Sequence, residues 1–207
     1  MINALELVSI SDFILAGLCL FLSGILFGKV ESHLPLPRTL CYFILFAGLS
    51  AFMGGIDHGF FEPINQRFVT KSLTYICIAA ATFTLFRYTV LTYFQGNGSR
   101  ILLVIAYVQL VAFVIGAFFF QSFLLVVANY APVLILFFIM NLLHVKRSKS
   151  ELYFTMFCAI MIVATLVQVF HIEISPMING DTLFHIIAII AYLYMYKGVN
   201  ELTKSDD

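Results

Sequence analysis

ILLVIAYVQLVAFVIGAFFFQSFLLVVANYAPVLILFFIMNLL, residues 101–143, is the stretch of sequence that decides the fold. It contains no Asp, Glu, Lys, Arg or His. A single α-helix over these residues would be about 65 Å long at 1.5 Å per residue, about twice the 30 Å hydrocarbon thickness of a bilayer. The polar pair Gln121 and Ser122 lies near its centre, so we predict a turn there and two membrane-spanning helices.

The composition of the whole chain is also typical of a membrane protein. Of its 207 residues, 62% are apolar and 11% are charged, and the mean hydropathy is +1.02. A soluble domain has about 25% charged residues and about 45–50% apolar ones, so this chain has too few polar groups to cover a surface in water. The formal net charge is zero, and no overall field attracts nucleic acid. We therefore exclude nucleic-acid binding.

Breaks in the apolar pattern divide the rest of the chain in the same way. Gly, Pro, Asn and charged residues mark nearly every break, and a helix needs about 20 apolar residues to cross a bilayer. The predicted spans are residues 11–28, 39–60, 68–94, 101–120, 123–143, 152–170 and 181–197. The sequence thus predicts an all-α, polytopic membrane protein, with one seven-transmembrane-helix domain over residues 1–207.

The distribution of basic residues predicts the orientation of this bundle. Seven crossings put the two termini on opposite sides, and the N-terminal side receives only Arg67 and Lys71. The other side receives Lys29, Arg38, Arg100, Lys146, Arg147, Lys149, Lys197 and Lys204. The positive-inside rule then places the N-terminus outside and the C-terminus in the cytoplasm. We expect an integral multi-pass protein of a cell membrane, such as a bacterial inner membrane, in contact with membrane lipids.

Polar residues at the predicted outer helix ends are the candidates for chemistry. Ionisable groups near or within a bilayer are costly and often functional. The second span ends with Asp57 and His58, the sixth ends at His171, and the seventh begins with Asp181 and His185. Three of the five histidines therefore lie at one membrane level.

The spacing of Asp181 and His185 favours a metal site. Residues four apart share one helical face, and catalytic zinc takes three protein ligands from His, Asp or Glu with a water in the fourth position. We predict that His58, Asp181 and His185 bind zinc, and that Asp57 or His171 moves protons or orients a ligand. A structural alternative stays open, because Asp181 also suits a helix N-cap and an interfacial His often bonds only to a carbonyl or a headgroup.

These residues resemble those of the CREST superfamily, which includes the alkaline ceramidases and the adiponectin and progestin receptors. In that superfamily a zinc ion is held by one His of the second helix and by an H-x-x-x-H pair on the seventh, assisted by a Ser and an Asp. The resemblance implies that His58 and His185 are zinc ligands, and Asp181 stands where the first His of the pair would be. Gly54 occupies the position of the Ser, and the start of the third span has no Asp.

Three hypotheses about function follow. The resemblance implies a membrane-embedded, zinc-dependent hydrolase that cleaves an amide or ester of a lipid entering from the bilayer. The alternative is a non-enzymatic receptor, sensor or transport-related protein whose polar cluster binds a ligand or protons, which the absent Ser and Asp favour. In the third hypothesis, the polar cluster has only a structural role and holds the helix ends together.

Overall fold

Seven long helices account for nearly all of the chain in the computed structural model, which describes residues 3–31 and 33–205. They are α1 (Ala4–Lys29), α2 (Pro35–Ile56), α3 (Phe68–Tyr93), α4 (Gly96–Phe119), α5 (Phe123–His144), α6 (Lys149–Val169) and α7 (Gly180–Ser205). A π-helical turn, Asp57–Phe61, continues α2. The described residues contain no β-strand. The prediction of an all-α fold with seven helices is confirmed.

All seven helices are long and apolar enough to cross a membrane, as expected of a multi-pass membrane protein. The predicted turn lies between α4 and α5, where the Ser122 hydroxyl accepts a hydrogen bond from the backbone N–H of Leu124 at 3.2 Å. α1 begins earlier than the apolar pattern, because Asn3 and Glu6 form a capping box that starts the helix. α7 extends beyond the predicted span into its charged last turns.

The helices form a ring. Neighbours in sequence pack together at the contacts α1–α2, α2–α3, α5–α6 and α6–α7. α7 closes the ring against α1, and α3 packs directly against α5. α4 lies outside the ring and packs mainly against α3. Its exposed residues include Ile101, Val104, Ile105, Val108, Val111 and Ile115. Such an apolar outer face suits contact with lipid chains rather than water.

An aromatic cluster joins three helices inside the ring. The ring centroid of Phe157 on α6 lies 5.8 Å from that of Phe43 on α2 and 5.6 Å from that of Tyr192 on α7. These separations are typical of favourable aromatic pairs. All three rings line the cavity described below.

The end of α2 departs from regular α-helix. In the π-helical turn the backbone N–H of Glu62 donates to the carbonyl of Asp57 at 2.8 Å, which is an i to i+5 bond. π-helical turns are rare and are frequently found at functional sites. This one places Asp57, His58 and Glu62 on the wall of a cavity.

Candidate metal centre and cavity

A cavity of about 450 Å³ runs inside the ring of helices. Its polar wall contains Asp12, Asp57, His58, Glu62, Arg67, Lys71, Gln168, His171, Asp181 and His185. Its apolar wall includes Leu15, Phe43, Ala47, Leu85, Val133, Leu134, Phe157, Met161 and Tyr192. Phe43 lies about 22 Å from His58 along the helix at 1.5 Å per residue, so the cavity extends from the helix ends towards the middle of the bilayer. Its size and mixed lining are typical of a small-molecule site.

Asp12 of α1 is the acid at the centre of the polar wall, and it is 3% exposed. Its Oδ1 lies 3.0 Å from Nε2 of His185, and its Oδ2 lies 4.0 Å from Nε2 of His58. Oδ2 is buried and has no hydrogen-bond partner among the described residues. We call Asp12, His58 and His185 the Asp12 cluster. The structure therefore brings the two predicted histidine ligands together around a carboxylate that sequence reasoning missed.

Both histidines of the Asp12 cluster are oriented by a partner on their other ring nitrogen. Ser11 Oγ donates to the carbonyl of Val8 at 2.7 Å, so it accepts at 2.9 Å from Nδ1–H of His185. Nδ1–H of His58 donates to the Glu62 carboxylate at 2.6 Å. These tautomers are assigned from the hydrogen-bond network. With Nδ1 holding the hydrogen, each neutral ring presents the lone pair of Nε2 towards Asp12.

Glycines on α2 and on its π-helical turn give α1 room to approach. A Cβ atom at Gly54 would lie 3.2 Å from both carboxylate oxygens of Asp12. One at Gly59 would lie 2.6 Å from Oγ of Ser9, a hydroxyl that donates to the carbonyl of Gly55 at 2.7 Å. Gly54 is the position where the CREST resemblance expects a Ser, and in this chain the Asp12 carboxylate lies against it.

A second polar group lies beside the first, and we call Asp57, Glu62, Arg67 and Thr70 the Arg67 network. Asp57 is 2% exposed, and its Oδ2 accepts from Arg67 Nε at 2.8 Å and from Nη2 at 2.5 Å. Its Oδ1 accepts from the Thr70 hydroxyl at 2.5 Å. Arg67 also pairs with the Glu62 carboxylate. The guanidinium thus supplies positive charge to two acids, and Glu62 links the network to His58.

Asp57, His58 and Glu62 form a second group that can hold a metal ion. One ligand atom from each of the three lies within 4.8 Å of the others. Both carboxylates of this group are already paired with Arg67. His58 belongs to this group and to the Asp12 cluster, and it faces the two with different ring nitrogens.

The other two predicted site residues lie on the same cavity wall. Asp181 accepts a hydrogen bond from the side-chain amide of Gln168 at 2.8 Å. His171 directly follows the C-cap of α6, with φ of 49°, and its side chain is exposed at the cavity rim. Their predicted roles, zinc binding for Asp181 and proton transfer for His171, remain predictions.

The charges of the cavity lining leave an excess of acid. The lining carboxylates are Asp12, Asp57, Glu62 and Asp181, and the lining cations are Arg67 and Lys71. Arg67 pairs with Asp57 and Glu62, so Asp12 and Asp181 are the lining acids without an Arg or Lys partner among the described residues. A carboxylate in such an interior is stabilised by a proton, a paired charge or a metal ion.

The comparisons with known proteins give one match. The model of a family of unknown function (DUF6962) matches residues 7–204. No curated protein and no solved structure matches the chain.

Proposed function

The chain belongs to the DUF6962 family, and we propose that it is a membrane-embedded, zinc-dependent hydrolase of a lipid amide or ester. The observation that carries this proposal is the Asp12 cluster. Nε2 of His185 and Nε2 of His58 lie 3.0 and 4.0 Å from the two oxygens of a buried carboxylate, of which Oδ2 has no hydrogen-bond partner among the described residues.

The donor set of the Asp12 cluster suits zinc. Two histidines and one carboxylate are the ligands of several catalytic zinc sites, in which a fourth position stays open. Ligand atoms about 2.0 Å from a tetrahedral zinc ion lie about 3.3 Å apart. In the cluster, Nε2 of His185 lies 3.0 Å from Oδ1 of Asp12 and Nε2 of His58 lies 4.0 Å from Oδ2, so binding of zinc would draw the three side chains closer together. Metal-binding histidines almost always donate their other N–H to an outer partner, as His185 does to Ser11 and His58 to Glu62.

The group of Asp57, His58 and Glu62 has its ligand atoms closer together, but among the described residues the Asp12 cluster is the one with a free carboxylate oxygen. In that group a guanidinium already pairs with both carboxylates, so a metal would have to displace Arg67. In the Asp12 cluster Oδ2 has no partner among the described residues. We therefore propose Asp12, His58 and His185 as the ligands, in place of the set containing Asp181.

The residues around the cluster would have distinct roles. When bound, zinc polarises a carbonyl group and makes water a nucleophile at neutral pH. Glu62 and Ser11 would hold the two imidazoles in place, and the Arg67 network would hold Glu62. Asp57 would orient Arg67 and Thr70 rather than exchange protons, because its oxygens accept three hydrogen bonds from these two residues. His171, exposed at the rim, would exchange protons with water.

The apolar wall supports a lipid substrate. It runs from the Asp12 cluster towards Phe43, so an acyl chain there would place its head near the metal ligands. We propose that the lipid enters laterally from the bilayer, and that this end of the bundle faces outward, as the distribution of basic residues predicts.

A non-enzymatic function is the second candidate, and the distance between Asp12 and His185 favours it. Oδ1 and Nε2 are 3.0 Å apart, so one added proton, on either atom, would form a hydrogen bond between them without any metal. In this alternative the cluster binds protons or a polar ligand, and the protein is a receptor, a sensor or part of a transport process.

Metal analysis of the purified protein separates the two candidates. The hydrolase proposal predicts one equivalent of zinc, its loss in Asp12→Asn and in a His58→Ala, His185→Ala double variant, and its retention in Asp181→Asn. In a panel of lipid amides and esters, at least one compound should then be cleaved by the zinc-loaded protein and by neither the zinc-free protein nor the variants that lose zinc. A protein that folds without zinc above background, and that zinc does not stabilise, would contradict the proposal. Loss of zinc in Asp181→Asn with retention in Asp12→Asn would restore the ligand set predicted from sequence.

A further inference from the structure

We propose that Lys71 selects lipids with an anionic headgroup, a carboxylate or a phosphate, as the molecules that bind in the cavity. The inference rests on the proposed function in taking the cavity as the substrate site, and it names the class of substrate. It follows from the pairing of the two cations that line the cavity and from the pattern of residues along α3.

The two cations of the cavity wall differ in their pairing. The guanidinium of Arg67 is neutralised by Asp57 and Glu62. Lys71 lies one turn further along α3 and is half-buried on the cavity wall. Within residues 3–31 and 33–205 its ammonium forms no ion pair and no side-chain hydrogen bond. It is therefore the cation in this cavity that is available to an external anion.

The polar side chains next to Lys71 are already occupied. The Thr74 hydroxyl donates to the backbone carbonyl of Thr70 at 2.9 Å. The amide of Gln121, from the turn between α4 and α5, donates to the carbonyl of Phe68 at 3.1 Å and to the hydroxyl of Ser72 at 3.2 Å. These groups hold the local structure together, so an anion reaching this part of the wall would find its counter-charge in Lys71.

Below Lys71, one face of α3 is largely apolar, as a binding site for an amphiphile would be. Thr74, Ile78, Ala81 and Leu85 line the cavity at intervals of three and four residues, so they lie on one helical face beneath Lys71. From Lys71 to Leu85 this face is about 21 Å long at 1.5 Å per residue, which exceeds half of the 30 Å hydrocarbon core of a bilayer. A charged head and an extended apolar chain would thus lie along one continuous wall.

A charge in a partly buried, low-dielectric site attracts an opposite charge more strongly than it would in water. One charge-assisted hydrogen bond is worth about 1.4 kcal/mol or more, which corresponds to about tenfold in affinity. We therefore expect an anionic amphiphile to bind at least about tenfold more tightly than a neutral one with the same chain.

Equilibrium binding of matched amphiphiles to the full chain in neutral micelles tests this. Palmitate is compared with hexadecanol, and palmitoyl lysophosphatidate with palmitoyl lysophosphatidylcholine, all after removal of metal with a chelator. The wild type should prefer the anionic member of at least one pair, and the two pairs distinguish a carboxylate from a phosphate. Lys71→Met should abolish the preference and Lys71→Arg should keep it. Lys197→Met, which removes an exposed cation near the far end of α7, should leave it unchanged.

Three results would overturn the proposal: equal affinities within both pairs in the wild type, a preference that survives Lys71→Met, or a preference lost as fully in Lys197→Met. The second would mean that Lys71 only extends its ammonium to the lipid headgroups. Failure of the hydrolase proposal is visible separately. Binding is measured without metal or turnover, whereas the hydrolase proposal is tested by the zinc content and lipid cleavage of the wild type.

Discussion

The Asp12 cluster and the Arg67 network lie side by side at one end of the cavity, each contains a buried aspartate, and they meet at the bond between His58 and Glu62. In the Arg67 network the buried Asp57 accepts three hydrogen bonds, and one guanidinium pairs with two acids. In the Asp12 cluster one carboxylate oxygen has no partner among the described residues, and two imidazole nitrogens point towards the same acid.

This difference indicates that one group stabilises the fold and the other binds a ligand. A satisfied polar network in a low-dielectric interior rigidifies the structure around it. A buried polar group without a partner costs free energy, and such a group in a native structure calls for an explanation, such as an ion or a ligand. We therefore assign stability to the Arg67 network and binding to the Asp12 cluster.

Arg67→Met gives the largest expected effect and tests the first half of this comparison. Removing one partner of a buried ion pair leaves an uncompensated charge, here on Asp57, at a cost of about 3–5 kcal/mol. The free energy of unfolding in micelles should fall by that amount, while the folded fraction still binds zinc. Arg100→Met, which removes an exposed cation at the start of α4, is the control and should change stability by less than about 0.5 kcal/mol.

A double variant sharpens that test. Adding Asp57→Asn to Arg67→Met removes the stranded charge, so part of the lost stability should return. If the single variant costs less than about 1 kcal/mol, the network behaves like an exposed ion pair and the assignment of stability to it is wrong.

Asp12→Asn tests the other half. The substitution keeps the shape of the side chain and removes the anionic ligand. Loss of a residue that only orients a ligand lowers metal affinity by up to about 100-fold, so loss of the ligand itself should lower zinc affinity by about 100-fold or more. Chelator competition measures the affinity. The unfolding free energy of the metal-free protein should fall less than in Arg67→Met. Unchanged zinc binding would move the metal to the group of Asp57, His58 and Glu62.

Ser11→Ala has a smaller expected effect and tests how the cluster is oriented. The Ser11 hydroxyl accepts from Nδ1–H of His185, and loss of such an outer partner weakens metal binding by about 10-fold. Ser9→Ala is the matched control on the same helix, because the Ser9 hydroxyl bonds to the carbonyl of Gly55 and not to a ligand. Equal zinc affinities in the two variants would contradict the role given to Ser11.

The seven helices were predictable because the bilayer imposes one length on every span. The contacts between helices were not. The spacing of Asp181 and His185 predicts a shared face on one helix, but the partner of His185 comes from α1, and helical periodicity carries no information on how α1 and α7 are rotated against each other. A signal for Asp12 was present all the same, since an aspartate within an apolar span is rarely there without a function.

Glu62 was missed for a different reason. The apolar pattern of the second span ends before it, so it reads as a loop residue. The π-helical turn instead continues the helix far enough for Glu62 to reach His58, four residues earlier, at 2.6 Å. A single extra residue in a helical turn leaves no trace in hydrophobic periodicity.

Gly54→Ala gives the smallest expected effect and tests whether the approach of α1 sets the geometry of the Asp12 cluster. The added Cβ would lie 3.2 Å from both oxygens of Asp12, closer than an ordinary contact, so the carboxylate must shift by a few tenths of an ångström. We expect a loss of about 1 kcal/mol in unfolding free energy, at the low end of the overpacking range, with a measurable decrease in zinc affinity. Gly17→Ala, on the exposed face of α1 with no atom within 4 Å of the new Cβ, is the control. If Gly54→Ala binds zinc as the wild type does, the glycine serves only helix packing, and Asp12 keeps its place without the room that Gly54 provides.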